Sequence, residues 1–145
     1  MQDRPTSVEL LEAAADFVES ELVPAVQGAR QFQARIVANV MRVVAREIKL
    51  EDQLVRSEVK ALARLLGHDA PHLHSLNDLC AAAVSMGEEL TTKIRAGEAD
   101  DGDFRREVLA VVRQSVEDKL RIANPRYLEN DIAIRNSKKG DLTNA

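Results

Sequence analysis

The sequence predicts an all-α protein, a helical bundle of about five helices that are mostly antiparallel. Apolar residues recur at helical spacing in five segments, and no segment alternates with the period of two that marks a strand. The 145 residues are 45% hydrophobic, with three Phe, one Tyr and no Trp, a composition that suits helices. A chain of this length is expected to bury one core. We therefore predict a single helical domain over 1–128 and a C-terminal tail or arm over 129–145.

The first two helices are predicted to form an antiparallel hairpin. The first begins at Thr6, whose hydroxyl can cap the helix while Glu9 completes a capping box, and Pro24 and Gly28 break its periodicity after Leu22. The second covers about 29–49, where a broad apolar face has no internal Pro or Gly. Acidic side chains on the first helix and basic ones on the second favour this pairing, although exposed ion pairs stabilise little.

Three further helices are predicted over about 51–66, 75–97 and 103–123. Gly67 and Gly97 end the first two of these as left-handed caps. Gly87 falls on the inward face of the fourth helix, where glycine would let a neighbouring helix approach closely. Three charged residues fall where the helical wheel predicts apolar contacts: Glu47, Glu58 and Lys119. Either they form ion pairs, or the buried faces of these helices are assigned with the wrong rotation.

Charge and composition favour a cytoplasmic protein. The 24 acidic and 20 basic residues give a net charge of −4, which repels phosphate backbones and argues against nucleic acid as a partner. No apolar run approaches the roughly 20 residues that a membrane span needs. A single cysteine cannot form an internal disulfide, and the N-terminal segment is too polar and acidic for a signal peptide.

The only clustered histidines are weak metal candidates. His68, His72 and His74 lie within seven residues beside Asp69, and a solvated loop is the preferred interpretation over a metal site. Cys80 lies on a predicted apolar stripe, where a thiol is inert. The sequence contains no P-loop, nucleophile elbow or zinc-protease motif. We therefore expect no cofactor, no metal and no catalytic residue, and an enzyme is the less favoured class.

The second helix carries a basic ridge along the edge of its apolar face. Arg35, Asn39, Arg42 and Arg46 follow one another at three- and four-residue spacing. Such a ridge could bind a carboxylate, a phosphate or an acidic partner helix. Salt bridges to the first helix are the alternative that the sequence favours.

Short segments over nearly the whole chain carry a family likeness. They are Arg4-Pro5, Glu9-Leu10-Leu11, Phe32, Arg35, Val37-Ala38-Asn39, Arg46-Glu47, Leu66-Gly67, Leu76-Asn77, Leu79-Cys80, Ile94-Arg95-Ala96-Gly97-Glu98 and Asn124-Pro125-Arg126-Tyr127-Leu128. In these segments the chain resembles an uncharacterised bacterial family of small all-helical proteins, a domain of unknown function. Its members are often encoded near acyl-CoA dehydrogenase-like and aminoglycoside-phosphotransferase-like proteins. The resemblance implies an accessory role and no established reaction.

The polar residues of these segments are the candidate ligand-binding set, since core packing does not call for them. They are Arg35, Asn39, Arg46, Glu47, Arg95, Asn124, Arg126 and Tyr127. The leading hypothesis is a non-enzymatic accessory protein that binds another protein, first of all itself as a dimer, through an apolar helix face and the C-terminal arm. The alternative is a binder or minor enzyme that acts on an anionic, acyl-CoA-like molecule at the ridge.

Overall fold

The computed structural model describes residues 4–69 and 71–131, and these ranges contain helices and no strand, which confirms the all-α prediction. The elements are α1 (Ser7–Phe17), a π-helical turn (Val18–Leu22), α2 (Val23–Ala25), α3 (Ala29–Leu66), α4 (Leu76–Arg95) and α5 (Gly102–Ala123), and a short helix follows over 125–131. None of the described helices has the length and apolar content that crossing a bilayer requires. Residues 129–131 of the predicted arm belong to this short helix. The rest of the arm, from 132 onward, lies outside the described residues.

The chain divides into two compact units. The first comprises Met1–Leu50 and Leu120–Ala145, and the second comprises Glu51–Lys119. Both α3 and α5 contribute residues to each unit. The single domain over 1–128 stays a prediction.

The start of the first unit follows the sequence closely. The Thr6 hydroxyl accepts from the Glu9 N–H at 3.2 Å, while the Glu9 carboxylate accepts from the Thr6 N–H at 2.7 Å, so the predicted capping box is confirmed. Helical structure continues through Ala25. A wide turn, in which the Val23 N–H donates to the Val18 carbonyl, leads into α2, where Pro24 stands in the first turn and needs no donor.

The predicted hairpin of the first two long helices forms in the first unit. Val18 and Val23 pack with Ala34 and Ala38 of α3, and these alanines have small side chains that allow close approach. Arg42, further along α3, pairs with Asp16 and Glu19, which precede Val23. Contacts that move forward on α3 as they move back on the first helix show that the two run antiparallel.

The predicted break between the second and third helices was wrong. α3 is one continuous helix of 38 residues from Ala29 to Leu66. No Gly or Pro interrupts it, and Asp52 inside the helix accepts from Arg56 Nε at 2.8 Å, one turn later. This hydrogen bond, with a smaller coulombic effect, lowers the pKa of Asp52 below its ordinary value. A hydrogen bond between side chains four residues apart stabilises the helix that contains both, so it favours a continuous helix over a new start at this point.

The core of the second unit forms around Leu62 of α3, Leu90 of α4 and Val108 of α5, which are all buried. Half-buried apolar residues surround this cluster, among them Leu65 and Phe104. Each of the three helices therefore contributes one central side chain to the unit.

The three helices of the second unit do not simply alternate in direction. Arg56 Nη1 donates to the Leu73 carbonyl at 2.9 Å, so the loop after α3 returns beside that helix, and His68 Nε2 lies 2.9 Å from a Glu89 carboxylate oxygen. α4 therefore runs in the same direction as α3. α5 is antiparallel to α3, because Glu58 contacts Ser115, whereas Leu62 contacts Val108.

Gly87 does not serve the close helix approach that the sequence predicts. A Cβ built on Gly87 would meet no atom within 4 Å, so no neighbouring helix approaches its Cα closely. Glycine inside a helix costs about 1 kcal/mol relative to alanine. Nothing in the packing of the described residues offsets that cost.

Replacing Gly87 with alanine is therefore expected to raise the free energy of unfolding by about 1 kcal/mol, because the helix gains propensity without a clash. Urea denaturation followed by circular dichroism would measure it. Gly97→Ala is the matched control with the opposite sign, since Gly97 has a φ of +84° and its Cβ would lie 3.2 Å from Asp100. A loss of stability in Gly87→Ala would show that a neighbour does pack on this glycine.

Candidate anion-binding cleft

The basic ridge of α3 and the chain after α5 enclose a cleft in the first unit. Its cavity volume is about 380 Å³. The lining residues are Glu19, Arg35, Ala38, Asn39, Arg42, Arg46, Ala123, Asn124, Pro125 and Arg126. The cleft thus gathers five of the eight polar residues singled out in the sequence, Arg35, Asn39, Arg46, Asn124 and Arg126.

Helical spacing on α3 places the cleft's polar side chains on one side of that helix. Arg35, Asn39, Arg42 and Arg46 are separated by three or four residues and share one edge. Ala38, which is buried, and Ala123 line the cleft with methyl groups. Because these two side chains are small, the cleft stays open between the longer polar ones.

Arg46 is held in place by a backbone acceptor. Its Nε donates to the carbonyl of Ile122 at 2.7 Å, in a half-buried position. Ile122 lies in the last turn of α5, where carbonyl groups lack a partner within the helix. This bond orients the guanidinium, and its two Nη groups make no hydrogen bond within the described residues.

Asn124 is fixed by the helix that follows it. Its Oδ1 accepts from the Tyr127 N–H at 3.2 Å, and its own N–H donates to the Leu120 carbonyl at 2.8 Å. The side chain therefore caps the short helix over 125–131, with Pro125 at the first position. Its amide NH₂ group remains a donor at the edge of the cleft.

Arg42 is the one ridge residue that forms the salt bridges favoured by the sequence. Its guanidinium pairs with Glu19, and with Asp16 at 3.1 Å. These hydrogen bonds, that to Glu19 first, raise the pKa of Arg42 further above its ordinary value, so the side chain is charged at any physiological pH. Its charge is balanced by α1 and by the turn that follows.

The other arginines of the cleft keep an unbalanced positive charge. Arg35 and Arg126 form no ion pair or side-chain hydrogen bond within 4–69 and 71–131, and Arg46 donates only to a neutral carbonyl. Glu19, the one acidic lining residue, pairs with Arg42. Three arginines therefore line one small volume without a carboxylate partner among the described residues.

The remaining predicted site residues lie elsewhere. Glu47 is exposed and does not line the cleft. Tyr127 is also exposed and does not line the cleft, although its backbone N–H donates to the Asn124 side chain. Arg95, the last residue of α4, belongs to the second unit.

The histidines do not form a ligand cluster in the described part of the chain. His68 hydrogen-bonds to Glu89, whereas His72 and His74 are exposed. No group of three His, Cys, Asp or Glu side chains comes together there in a way that could hold a metal ion. Cys80 is half-buried on the lining of an apolar groove in the second unit.

The charged residues that the sequence placed on apolar faces include a pair in the second unit. Lys119 Nζ lies 3.5 Å from a Glu58 carboxylate oxygen, which also accepts from the Ser115 hydroxyl. The Glu58 side chain is 22% exposed and that of Lys119 is 73% exposed, so only the carboxylate is largely buried. The sequence analysis did not include Ser115 among the site residues. Its position one helical turn before Lys119 is the feature of the sequence that could have indicated it.

These features define a small all-helical protein with a ligand-sized cleft that is rich in arginine. The chain belongs to the family described as domain of unknown function DUF6285, whose sequence profile matches residues 24–127. That range contains Arg35, Arg46 and Arg126. Neither curated proteins nor solved structures include a match to the chain.

Proposed function

We propose that the protein binds a small polyanion in the arginine cleft. The observation that carries the proposal is the unbalanced positive charge of Arg35, Arg46 and Arg126 around one cavity. Like charges that face a shared volume raise the energy of the empty cleft, and an anion with two or more charges lowers it. Binding of this kind needs no catalytic group.

Preorganisation supports the same proposal. The bond from Arg46 Nε to Ile122 fixes the plane of the guanidinium before any ligand arrives. A fixed guanidinium presents paired N–H donors that match carboxylate and phosphate oxygens, and little entropy is lost when they bind. Asn124 adds an amide donor whose orientation is set by its cap.

The size of the cleft limits the ligand. Its volume of about 380 Å³ lies near the lower end of the range for small-molecule sites, roughly 300–1,000 Å³. A diphosphate or a di- or tricarboxylate suits this volume. An acyl-CoA-like molecule would place only its phosphate end here, so we retain it as a member of the same chemical class.

Calorimetric titration with pyrophosphate and with citrate tests the proposal. We expect saturable one-site binding that weakens as salt is added, because the attraction is partly exposed and is screened. Acetate, with one charge, serves as the control and should bind far more weakly. If pyrophosphate and citrate give no saturable signal at low salt, the polyanion proposal fails.

A second candidate function is supported by an apolar face on the first unit. Seven large apolar side chains there are between 45% and 65% exposed. They are Leu10, Phe17, Phe32, Ile36, Val37, Val40 and Ile48. A monomer that exposed so many together would be unusual, so we propose that this face binds protein, first of all a second copy of the chain.

The placement of the face follows from the hairpin. Asp16 and Glu19 mark the edge of the hairpin where Arg42 lies. Helical geometry puts Leu10 and Phe17 on the other edge, while Ile36 and Val40 point away from α1. Ile36 of the face and Asn39 of the cleft are one helical turn apart, so the apolar face borders the arginine cleft along α3. The accessory role implied by the resemblance would require such a surface.

Val40→Asp is expected to convert a dimer to a monomer in sedimentation velocity, because a carboxylate would be buried at the centre of the face. Leu109→Asp, at a side chain of the second unit that is 57% exposed, is the matched control and should leave the sedimentation coefficient unchanged. A wild-type monomer at tens of micromolar, or a Val40→Asp dimer, would contradict pairing through this face.

A further inference from the structure

The second unit contains an apolar groove that none of the proposals above uses. It has a cavity volume of about 510 Å³ and lies among α3, α4 and α5. The lining residues are Val55, Glu58, Leu62, Cys80, Ala83, Val84, Gly87, Leu90, Thr91, Ile94, Val111, Val112, Ser115, Val116 and Lys119. The groove thus follows much of α4 and has aliphatic walls with no aromatic residue.

Several walls of the groove are open to solvent although they are apolar. Val84 is 63% exposed, Val116 is 50% exposed, Val112 is 41% exposed and Ile94 is 40% exposed. Gly87 lies between them on α4, with open space where a Cβ would be. The helix therefore loses propensity at a position where glycine only widens the groove.

One end of the groove is polar. Glu58 accepts from the Ser115 hydroxyl and lies 3.5 Å from Lys119 Nζ, so the three side chains form one cluster. Ser115 and Lys119 lie toward the C-terminal end of the α5 segment of this unit and Glu58 faces them from α3, whereas Ile94 lies at the opposite end of the groove. The groove therefore has an apolar body and a polar end.

The charge of this polar cluster limits what it can bind. One carboxylate and one ammonium group give no net charge. Lys119 keeps free N–H donors, and the second oxygen of Glu58 makes no hydrogen bond within the described part of the chain. A head group that both donates and accepts can satisfy both, whereas a carboxylate would be repelled by Glu58 and an ammonium group by Lys119.

We propose that the groove binds an aliphatic chain that ends in an uncharged polar head group, such as a primary amide or an alcohol. The aliphatic chain of the ligand lies against Val84, Val112 and Val116 and fills the space over Gly87. The head group donates to Glu58 and accepts from Lys119. Burying the exposed aliphatic walls drives the binding, and the polar end selects the head group.

Three probes with the same eight-carbon chain test the head group: octanamide, octanoate and octylammonium. Titrated by calorimetry below their aggregation concentrations, they are expected to bind in one site, with octanamide at least fivefold tighter than either ion. Acetamide, which lacks the chain, should show no saturable binding. Tighter binding of octanoate or octylammonium, or no saturable binding of octanamide, overturns the proposal.

Two variants locate the site. Gly87→Leu would place a side chain in the groove and is expected to weaken octanamide at least tenfold, whereas Ala81→Leu, on an exposed side of α4 outside the groove, should leave the affinity unchanged. Lys119→Gln changes a side chain that is 73% exposed, and is expected to weaken octanamide at least threefold. Wild-type affinity in Gly87→Leu or in Lys119→Gln would contradict the assignment.

Discussion

Replacing Arg46 with glutamine is expected to weaken pyrophosphate binding by about 10- to 100-fold. The change removes one charge and two Nη donor groups from a residue that lines the cleft, and a hydrogen bond to a charged group contributes about 1.5–3 kcal/mol. Each 1.4 kcal/mol corresponds to a factor of ten in affinity. Calorimetric titration of the variant against the wild-type protein would measure the loss.

Arg30→Gln is the matched control for this experiment. Arg30 lies on the same helix and in the same unit, it is exposed, and it does not line the cleft. The change in net charge is identical, so pyrophosphate should bind within about twofold of the wild-type affinity. If Arg30→Gln and Arg46→Gln lost equal affinity, the attraction would come from net charge alone and the cleft would not be the site.

Leu62→Ala is expected to lower the free energy of unfolding by about 2–5 kcal/mol. Leu62 is buried at the centre of the second unit against Leu90 and Val108, and truncation there leaves a cavity that three helices have to close. A loss of this size is a large part of the roughly 5–15 kcal/mol that stabilises a typical domain. Urea denaturation followed by circular dichroism at 222 nm is the measurement.

Leu109→Ala makes the same chemical change one residue beyond Val108, at a side chain that is 57% exposed. Its expected cost is below about 0.5 kcal/mol, since surface substitutions rarely matter more. Similar losses in the two variants would mean that the second unit does not pack around Leu62. An unchanged midpoint in Leu62→Ala would have the same meaning.

The parts of the fold that the sequence predicted depend on local chemistry. The capping box at Thr6 and the ends at Gly67 and Gly97 each involve residues within one helical turn. The continuity of α3 through Leu50 was missed, because the spacing of apolar residues shifts there and resembles the start of a new helix. The return of the loop beside α3 was also beyond reach, because it depends on Arg56 meeting carbonyls of Leu73 and His74.

The sequence predicted which residues of the candidate site share an edge of a helix, but not which partners they contact. Spacing alone put Arg35, Asn39 and Arg46 on one edge of a helix. It could not show that Arg42 is the residue paired with Asp16 and Glu19, because the partner depends on the register of the hairpin. The contact between Ser115 and Glu58 joins residues 57 positions apart, and no local pattern indicates it.

The bond from Arg46 to Ile122 connects the last turn of α5 to the cleft, so the proposed anion should affect that turn. One guanidinium serves both the cleft and the end of a helix, so holding it with an anion also holds the Ile122 carbonyl. The neighbouring amides of Asn124 and Tyr127, which close the turn, should then exchange their protons with solvent more slowly. Two backbone amides would thus report when the cleft is filled, whatever anion fills it.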